Sequence, residues 1–400
     1  MDIRRLAEED IQTFIFEHEK EDEDRLVLKN KTILGVPSAW IATQIKARKK
    51  AAHKLPSFHS KRGVVYPPAL NLEQSSSETT ARFKAYIISK WIPSRKKFCD
   101  LTGGFGVDSL FLSALFAYND FNEPDKELLA LVKQNHSLLN PGNVHYHGKT
   151  ASEFMTNLGK HYDLMYIDPS RRNSSNKKVF QFADCDPDVV AMGEDLFSHA
   201  DRLMIKASPL LDIQQGIKDL KHVNRVLVVS VDNECKELLF LCNSKLTNEP
   251  IVECYNLSSN FSGRNIPGDF EFKFSEERSA TVSFSDPLKY VFEPNASIMK
   301  SGAFKSIANE FGIQKLSSNT HLYTSNDLPE NFPGRVFRVT GFVKPDKKLR
   351  QVKANVLVRN YPLTADELKK KTGVTDGGDI FIIGCSGVKE KWLFTADRIR

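Results

Sequence analysis

An α/β fold is predicted for this chain: a doubly wound sheet of seven strands, preceded by an N-terminal helical region and followed by small α+β modules. Three observations carry the prediction. From Lys97 onward short apolar runs alternate with helical patterns, the mark of a parallel sheet covered on both faces. At the end of the first run, Asp100-Leu101-Thr102-Gly103-Gly104-Phe105-Gly106-Val107-Asp108 makes a glycine-rich turn into a helix. Finally, the net positive charge is concentrated at the C-terminal end, in a strand-rich stretch.

The elements follow in order. Residues 1–92 read as helical. Ile3, Leu6, Ile11, Phe14 and Ile15 recur at near-helical spacing, and Ser38 caps a helix through Lys54 that carries Lys46, Arg48, Lys49, Lys50 and Lys54. Those cations form either a solvated face or a nucleic-acid contact. Tyr66-Pro67-Pro68 breaks the pattern, and Ser75 with Glu78 predicts a capping box for a helix ending near Trp91. Residues 93–275 hold the predicted strands Phe98–Thr102, Asn119–Asn122, Val144–His147, Leu164–Asp168, Leu203–Lys206, Val226–Val231 and Ile251–Leu257, with Phe270, Phe272 and Phe274 as a ribbon leaving the sheet. Residues 276–328 and 329–400 form two small modules. The first contains a helix from Ser297 to Phe311; in the second, Thr364 and Glu367 cap a helix that Gly373 ends, and Phe381–Gly384 and Trp392–Phe394 form a hairpin.

Composition sets the outer limits. The 400 residues are 40% hydrophobic and 26% charged, which fits a globular chain of two or three domains and excludes whole-chain disorder, collagen or coiled coil. Mean hydropathy is −0.36. The richest apolar stretch, Leu110 to Tyr118, falls well short of the roughly 20 residues that cross a bilayer. Met1 to Lys20 mixes Arg4 and Arg5 with Glu8, Glu9, Asp10, Glu17 and Glu19 and lacks an apolar core, so a cytoplasmic location is expected. Six scattered cysteines without a Cys-x-x-Cys pair read as reduced core thiols, and His145 with His147 lacks a third metal ligand, so no metal is expected. From Asn331 to Arg400 there are 15 Lys/Arg against 7 Asp/Glu, whereas the rest of the chain carries 41 against 43. Arg335, Arg338, Lys347, Lys348, Arg350, Lys353, Arg359 and Lys369 to Lys371 are therefore candidates to neutralise phosphates, with RNA as the expected partner.

The glycine-rich turn leaves room for a nucleotide-type cofactor across the strand ends. Ser109 replaces the third glycine of a dinucleotide motif, and the acid Asp100 suits a cationic ligand better than a pyrophosphate. Asp100, Thr102, Gly103, Gly104, Gly106 and Asp108 are the candidate cofactor contacts. Glu123, 23 residues after Asp100 and at the end of the second strand, is placed to accept both ribose hydroxyls. At the end of the fourth strand, Tyr166-Ile167-Asp168-Pro169-Ser170-Arg171-Arg172 offers a carboxylate and a fixed carbonyl as two acceptors for an exocyclic amine. Asp168, Pro169 and Ser170 are the catalytic candidates. Arg171 and Arg172, which can stack on a base or clamp a phosphate, and Lys206 of Lys206-Ala207-Ser208-Pro209 are the substrate candidates.

Asp-Leu-Thr-Gly-Gly-Phe-Gly and the later Glu-Pro-Asp-Lys-Glu resemble the class I S-adenosylmethionine-dependent methyltransferases over roughly Lys97 to Leu257. The resemblance implies a Rossmann-like sheet, a cofactor lying along Gly103 to Gly106, Asp100 near its cationic methionine end and Glu123 on its ribose. Where such enzymes often place an acid for adenine, this chain has Lys149. Asp168-Pro169-Ser170 is similar to the Asp-Pro-Pro-aromatic motif of amino-group methyltransferases, with Ser170 and Arg171 in place of the second proline and the aromatic. Together with Leu72-Glu73-Gln74 and Val358-Arg359-Asn360-Tyr361-Pro362-Leu363, the chain resembles a bacterial methyltransferase family with a ferredoxin-like piece and a THUMP-like C-terminal domain. The expected activity is methylation of a base nitrogen in RNA. The alternatives are a non-catalytic cofactor- or RNA-binding protein, or methylation of a protein or small molecule.

Overall fold

In a computed structural model of the chain, residues 2–156, 158–171, 181–245, 248–263, 268–344 and 352–400 are described. The chain divides into two compact units. One comprises Met1–Val226, Lys236–Asn248 and Leu257–Ile266; the other comprises Leu227–Cys235, Glu249–Asn256 and Pro267–Arg400.

The first unit begins with amphipathic helices. α1 (Glu9–Glu17) buries Ile11 and Ile15, Asp22 caps α2 (Glu23–Lys29), and α3 (Ser38–Lys54) buries Ile41, Ile45 and Ala51 along one face. After α3 the extended segment Val64–Tyr66 is held by two side-chain amides. Gln44 donates to the Tyr66 carbonyl at 2.9 Å and accepts its N–H at 2.8 Å, and Asn135 does the same for Val65 at 2.8 and 2.9 Å. Each amide pairs with backbone as a neighbouring strand would. α4 (Glu78–Trp91) departs from the predicted capping box: Ser77, not Ser75, caps it, accepting the Thr80 N–H at 3.2 Å. Glu78 cannot turn back to the cap because the N–H and hydroxyl of Ser57, each at 2.7 Å, and Arg82 hold its carboxylate.

The large sheet has nine strands rather than seven. They are β1 (Lys97–Asp100), β2 (Tyr118–Asn122), β3 (Val144–His147), β4 (Leu164–Ile167), β5 (Arg202–Ala207), β6 (Val223–Val231), β7 (Glu234–Asn243), β8 (Ile251–Leu257) and β9 (Phe270–Phe272), in the order β9-β8-β6-β7-β5-β4-β1-β2-β3. β1 pairs in parallel with β2 and β4, β2 with β3, and β4 with β5, whereas β7 runs antiparallel to β5. β7 was missed in the sequence although its signal is there. Asp232 and Asn233, with φ of 48° and 64°, form the two-residue turn that tight hairpins use. Phe270 and Phe272 pair with β8, while Phe274 begins a helix instead of extending the ribbon. The strand order reverses between β1 and β4, so the crevice outside their C-terminal ends is the ligand position of an open α/β sheet.

The glycine turn enters α5 (Val107–Ser113), and Asp125 caps α6 (Lys126–Leu139) by accepting two N–H groups. Leu6, Ile11, Ile45, Phe58 and Tyr66 share one core with Phe105, Val107, Leu110 and Leu131, so the N-terminal helices pack directly on the glycine loop.

The second unit carries a seven-stranded sheet. Its strands are β10 (Tyr290–Pro294), β11 (Gln314–Ser317), β12 (Thr320–Ser325), β13 (Gly334–Phe342), β14 (Asn355–Arg359), β15 (Ile380–Ser386) and β16 (Lys391–Arg398), ordered β11-β12-β10-β13-β16-β15-β14. β14 and β15 are parallel, with α7 (Ala365–Thr372) between them in sequence. The helix expected from Ser297 to Phe311 is two helices, Ala296–Ser301 and Ser306–Glu310, because Gly302 at φ +81° ends the first. Val291, Leu316, Phe337, Ile383 and Phe394 fill the core of this sheet.

Candidate active site

Packing dictates the glycines of the turn. A Cβ on Gly103 would lie 2.2 Å from the Phe121 ring, and one on Gly106, at φ +76°, would lie 2.8 Å from His136 Nε2. His136, on α6, is buried and donates Nε2–H to the Gly106 carbonyl at 3.2 Å, while Nδ1 accepts the Tyr146 hydroxyl at 3.0 Å. Burial pushes its pKa down to about 4, so the ring stays neutral, as one donor and one acceptor require. This brace was missed in the sequence, since His136 lies 30 residues beyond the loop it supports. Gly104, at φ +55°, faces open space apart from the Thr102 carbonyl at 3.8 Å, and here the backbone itself lines the crevice.

The expected cofactor residues fall into two groups. Glu123 follows β2 and accepts the Gly104 N–H at 2.8 Å and the Asp125 N–H at 2.9 Å, one on each carboxylate oxygen. Each oxygen keeps a second lone pair. Burial raises its pKa against those two hydrogen bonds. Asp100 is turned inward instead, with 1% exposure. It accepts the Ser109 hydroxyl on one oxygen and the Thr102 N–H, at 3.1 Å, on the other. Burial pushes it up to about 7 despite both donors. Asp100 therefore shapes the turn from behind.

Thr102 joins the loop to the acceptor strand, because its hydroxyl accepts the Asp168 N–H at 2.7 Å. The Asp168 carboxylate meets Lys206 Nζ at 2.5 Å, so the residue that follows β4 and a residue near the end of β5 converge. From Lys206 the contacts run inward. Its ammonium lies 3.3 Å from Ser76 Oγ, and Ser76 and the Tyr166 hydroxyl each donate to Asp108 Oδ2 at 2.7 Å. Lys84, with no exposed surface, stands 3.1 Å from Asp108 Oδ1 in an ion pair outside hydrogen-bond geometry, and bonds both oxygens of Glu237 at 2.7 and 2.8 Å. Burial works to raise Asp108, but Lys84, Lys206 and the two hydroxyls outweigh it and hold the carboxylate low. In Glu237, burial wins and the pKa rises. Lys206 is raised because Asp168, Asp108 and Glu237 outweigh its burial, so it stays an ammonium. Asp108 and Ser76 belong to this network, and Lys84 and Glu237 are members that sequence reasoning did not identify.

Ser170 and Arg171 form a short strand paired with Cys185–Asp186, where Ser170 Oγ donates to the Asp186 carbonyl at 3.4 Å. Arg172 lies outside the described residues, as do Lys347, Lys348 and Arg350. Several C-terminal cations expected to meet phosphates have protein partners. Arg335 and Arg359 each place Nε 2.6 Å from the buried Glu293 carboxylate, Arg338 pairs with Asp397 at 2.9 Å and Lys369 with Asp376 at 2.8 Å. The positive balance of this segment thus partly holds the sheet together. Lys353, Lys370, Lys371, Lys389 and Lys391 remain exposed. Among the described residues no helix is long and apolar enough to cross a membrane.

A crystal structure described as that of a proposed methyltransferase from Porphyromonas gingivalis W83 matches this chain over its whole length, covering 100% of both, with a TM-score of 0.87 and 29% sequence identity. This chain has a methyltransferase fold. Residues 290–333 of the methyltransferase-like chain match a ferredoxin-like domain model, and residues 334–398 match a THUMP-like domain model. Both matched segments contribute to the seven-stranded sheet, where Glu293 of the first pairs with Arg335 and Arg359 of the second. Two other solved structures overlap the chain in part. A Streptococcus mutans protein in complex with SAH covers 40% of this chain and 95% of its own, at 14% identity and TM-score 0.31. An rRNA methylase from Streptococcus thermophilus covers 41% and 94%, at 14% identity and TM-score 0.30. No curated protein matches the sequence.

Proposed function

We propose that this protein is a cytoplasmic S-adenosylmethionine-dependent methyltransferase that methylates a base nitrogen in RNA. The observation that carries the reading is the Thr102–Asp168 bond, which ties the cofactor-side loop to the acceptor-side turn within one hydrogen bond. The loop fits the cofactor. Backbone alone faces the crevice at Gly104, and Glu123 is fixed by two backbone N–H groups with lone pairs left for a ribose diol. Asp100, tied to Ser109 and Thr102, keeps the turn in shape rather than meeting the cationic end of the cofactor directly.

When bound, S-adenosylmethionine supplies an activated methyl group, so the protein's task is orientation. One oxygen of Asp168 and the Pro169 carbonyl accept the two N–H bonds of the substrate amine and aim its lone pair across the crevice. Lys206 fixes the other side of the Asp168 carboxylate. The proton released as the amine is alkylated leaves through Asp168, which is partly open to solvent. Ser170 is exposed beside this turn, and Arg171 and Arg172 are the sequence candidates for contacts to the base. Support for RNA comes from the THUMP-like module, whose name is shared with RNA-modifying enzymes, and from its exposed lysines.

Transfer of labelled methyl from S-adenosylmethionine into an extract of a strain lacking the gene tests this reading. Wild-type protein is expected to leave nuclease-sensitive label, and Asp168→Ala is expected to lose the label while still binding cofactor. Turnover retained by Asp168→Ala would remove Asp168 from the mechanism, and label in protein or small molecules would remove RNA.

A further inference from the structure

α3 carries five cations, and the structure sorts them into two sets. Arg48 and Lys49 turn to acids of the N-terminal helices: Arg48 Nε lies 2.8 Å from Glu19 and Lys49 Nζ 2.6 Å from Glu23. Lys46, Lys50 and Lys54 recur at every fourth residue and so form one stripe about 12 Å long. Among the described residues the acid bonded to this stripe is Glu73, which takes Lys50 and lies in the field of Lys54 and Lys46. Like charges four residues apart on a helix repel, and Glu73 at Lys50, the two carbonyls at Lys54 and the field of Glu23 at Lys46 offset that repulsion only in part.

The stripe leads to the active site. Lys54 donates to the carbonyls of Leu72 and Glu73 at 2.7 and 2.8 Å. Ser76, three residues further on, lies 3.3 Å from Lys206 Nζ, and Lys206 is bonded to Asp168. Burial first, then repulsion from Lys206, Lys50 and Lys236, lowers the pKa of Lys54 to about 8. Lys46, Lys50 and Lys236 are exposed, so anions reach this concentration of positive charge from solvent.

We propose that Lys46, Lys50 and Lys54, continued by Lys206 and Lys236, form a phosphate track on the catalytic unit that guides the substrate RNA strand to Asp168. The inference rests on the RNA reading above and adds that the strand is gripped beside the chemistry, not by the THUMP-like module alone. Lys46, Lys50 and Lys236 present exposed ammonium groups at intervals, which suits a backbone that moves through the site better than one fixed fork. Lys54 and Lys206, held by the Leu72 and Glu73 carbonyls and by Asp168, add field rather than mobile contacts.

The test uses the full chain and a fluorescein-labelled RNA hairpin with a single-stranded tail, titrated across a range of salt concentrations. The double variant K46Q/K50Q is expected to lower the slope of log Kd against log salt by about 2, roughly 1 for each phosphate that is no longer neutralised. Its affinity for S-adenosylmethionine should match wild type. A wild-type slope in K46Q/K50Q, combined with a reduced slope in K370Q/K371Q, would overturn the track while leaving the RNA reading intact. Absence of salt-dependent binding by wild-type protein would remove both. If K46Q/K50Q also loses the cofactor, Lys46→Glu alone decides, because that exposed side chain can change without disturbing the fold: an unchanged slope overturns the track and a reduced slope supports it.

Discussion

Two buried charge clusters, one in each unit, solve the same problem with opposite signs. In the first, the Lys84 ammonium lies between the carboxylates of Asp108 and Glu237, with no exposed surface of its own. In the second, the Glu293 carboxylate lies between the guanidiniums of Arg335 and Arg359, which are 27% and 39% exposed. The lone charge is buried in both, but the flanking charges differ. Asp108 and Glu237 are closed off from water, whereas both arginines still reach it. Removing the central charge therefore strands two buried anions in one case and releases two half-solvated cations in the other. The first cluster is also the support beneath Lys206 and Asp168, while the second joins the ferredoxin-like and THUMP-like segments.

Lys84→Met is expected to have the largest effect. It keeps the volume of the side chain and leaves two buried acids with only the more distant Lys206 to offset them, a loss of about 3–5 kcal/mol, the range for a broken buried pair. Urea unfolding monitored by tryptophan fluorescence measures it. A loss below about 1 kcal/mol would show that water reaches the cluster and that the contrast with Glu293 is false.

Asp108 was marked in the sequence, but its pairing with Lys84 and Glu237 was not, and the reason is separation along the chain. Lys84 meets Glu237 across 153 residues, and Tyr166 meets Asp108 across 58. In α4, Lys84 reads as one more solvated lysine until the sheet brings Glu237 over it. What the sequence did show was local. Strands β1 to β5, the glycine turn, Glu123 and the Asp168-Pro169 turn follow from short-range pattern, and the structure brings Thr102 and Asp168 within one hydrogen bond. β7 was also locally signalled, by Asp232-Asn233, but its apolar run Leu238–Cys242 does not separate strand from helix by period alone. The cap at Ser77 was misplaced because Ser57, 21 residues earlier than Glu78, takes the carboxylate that the local pattern assigns to the cap.

Asp100 sharpens the comparison, since it is a buried acid with no cation bonded to it, and its effect should be the next largest. Its pKa of about 7 lies above the 3.9 expected in an unfolded chain. The folded state therefore holds a proton that the unfolded state has already lost, and this contribution to stability is present at low pH and is lost as pH rises through the folded value. At 1.36 kcal/mol per unit, the stability of wild type relative to Asp100→Asn should fall by roughly 3 kcal/mol between about pH 4.5 and 7. Urea midpoints for both proteins across that range measure it. A flat difference would mean that Asp100 is ionised in the fold and that the hydrogen bonds from Ser109 and Thr102 suffice where Asp108 needs Lys84.

The smallest effects lie in the second unit, where a pair of substitutions separates burial from charge on one sheet. Glu293→Gln keeps the shape and leaves Arg335 and Arg359 free to turn to water, so its cost should be about 1–2 kcal/mol, well below that of Lys84→Met. Arg338→Ala breaks a pair with Asp397 on the same strand as Arg335, with the two side chains 53% and 41% exposed, and should change stability by less than about 0.5 kcal/mol. Differential scanning calorimetry of the two variants reads both. If Arg338→Ala cost as much as Glu293→Gln, the number of ion pairs rather than the burial of the central charge would hold this sheet, and Arg335 and Arg359 would no longer differ in kind from the surface cations around them. With the expected order, the charges at Arg335 and Arg359 are committed to structure, which leaves exposed cations such as Lys353, Lys370, Lys371 and Arg338 to meet a phosphate backbone.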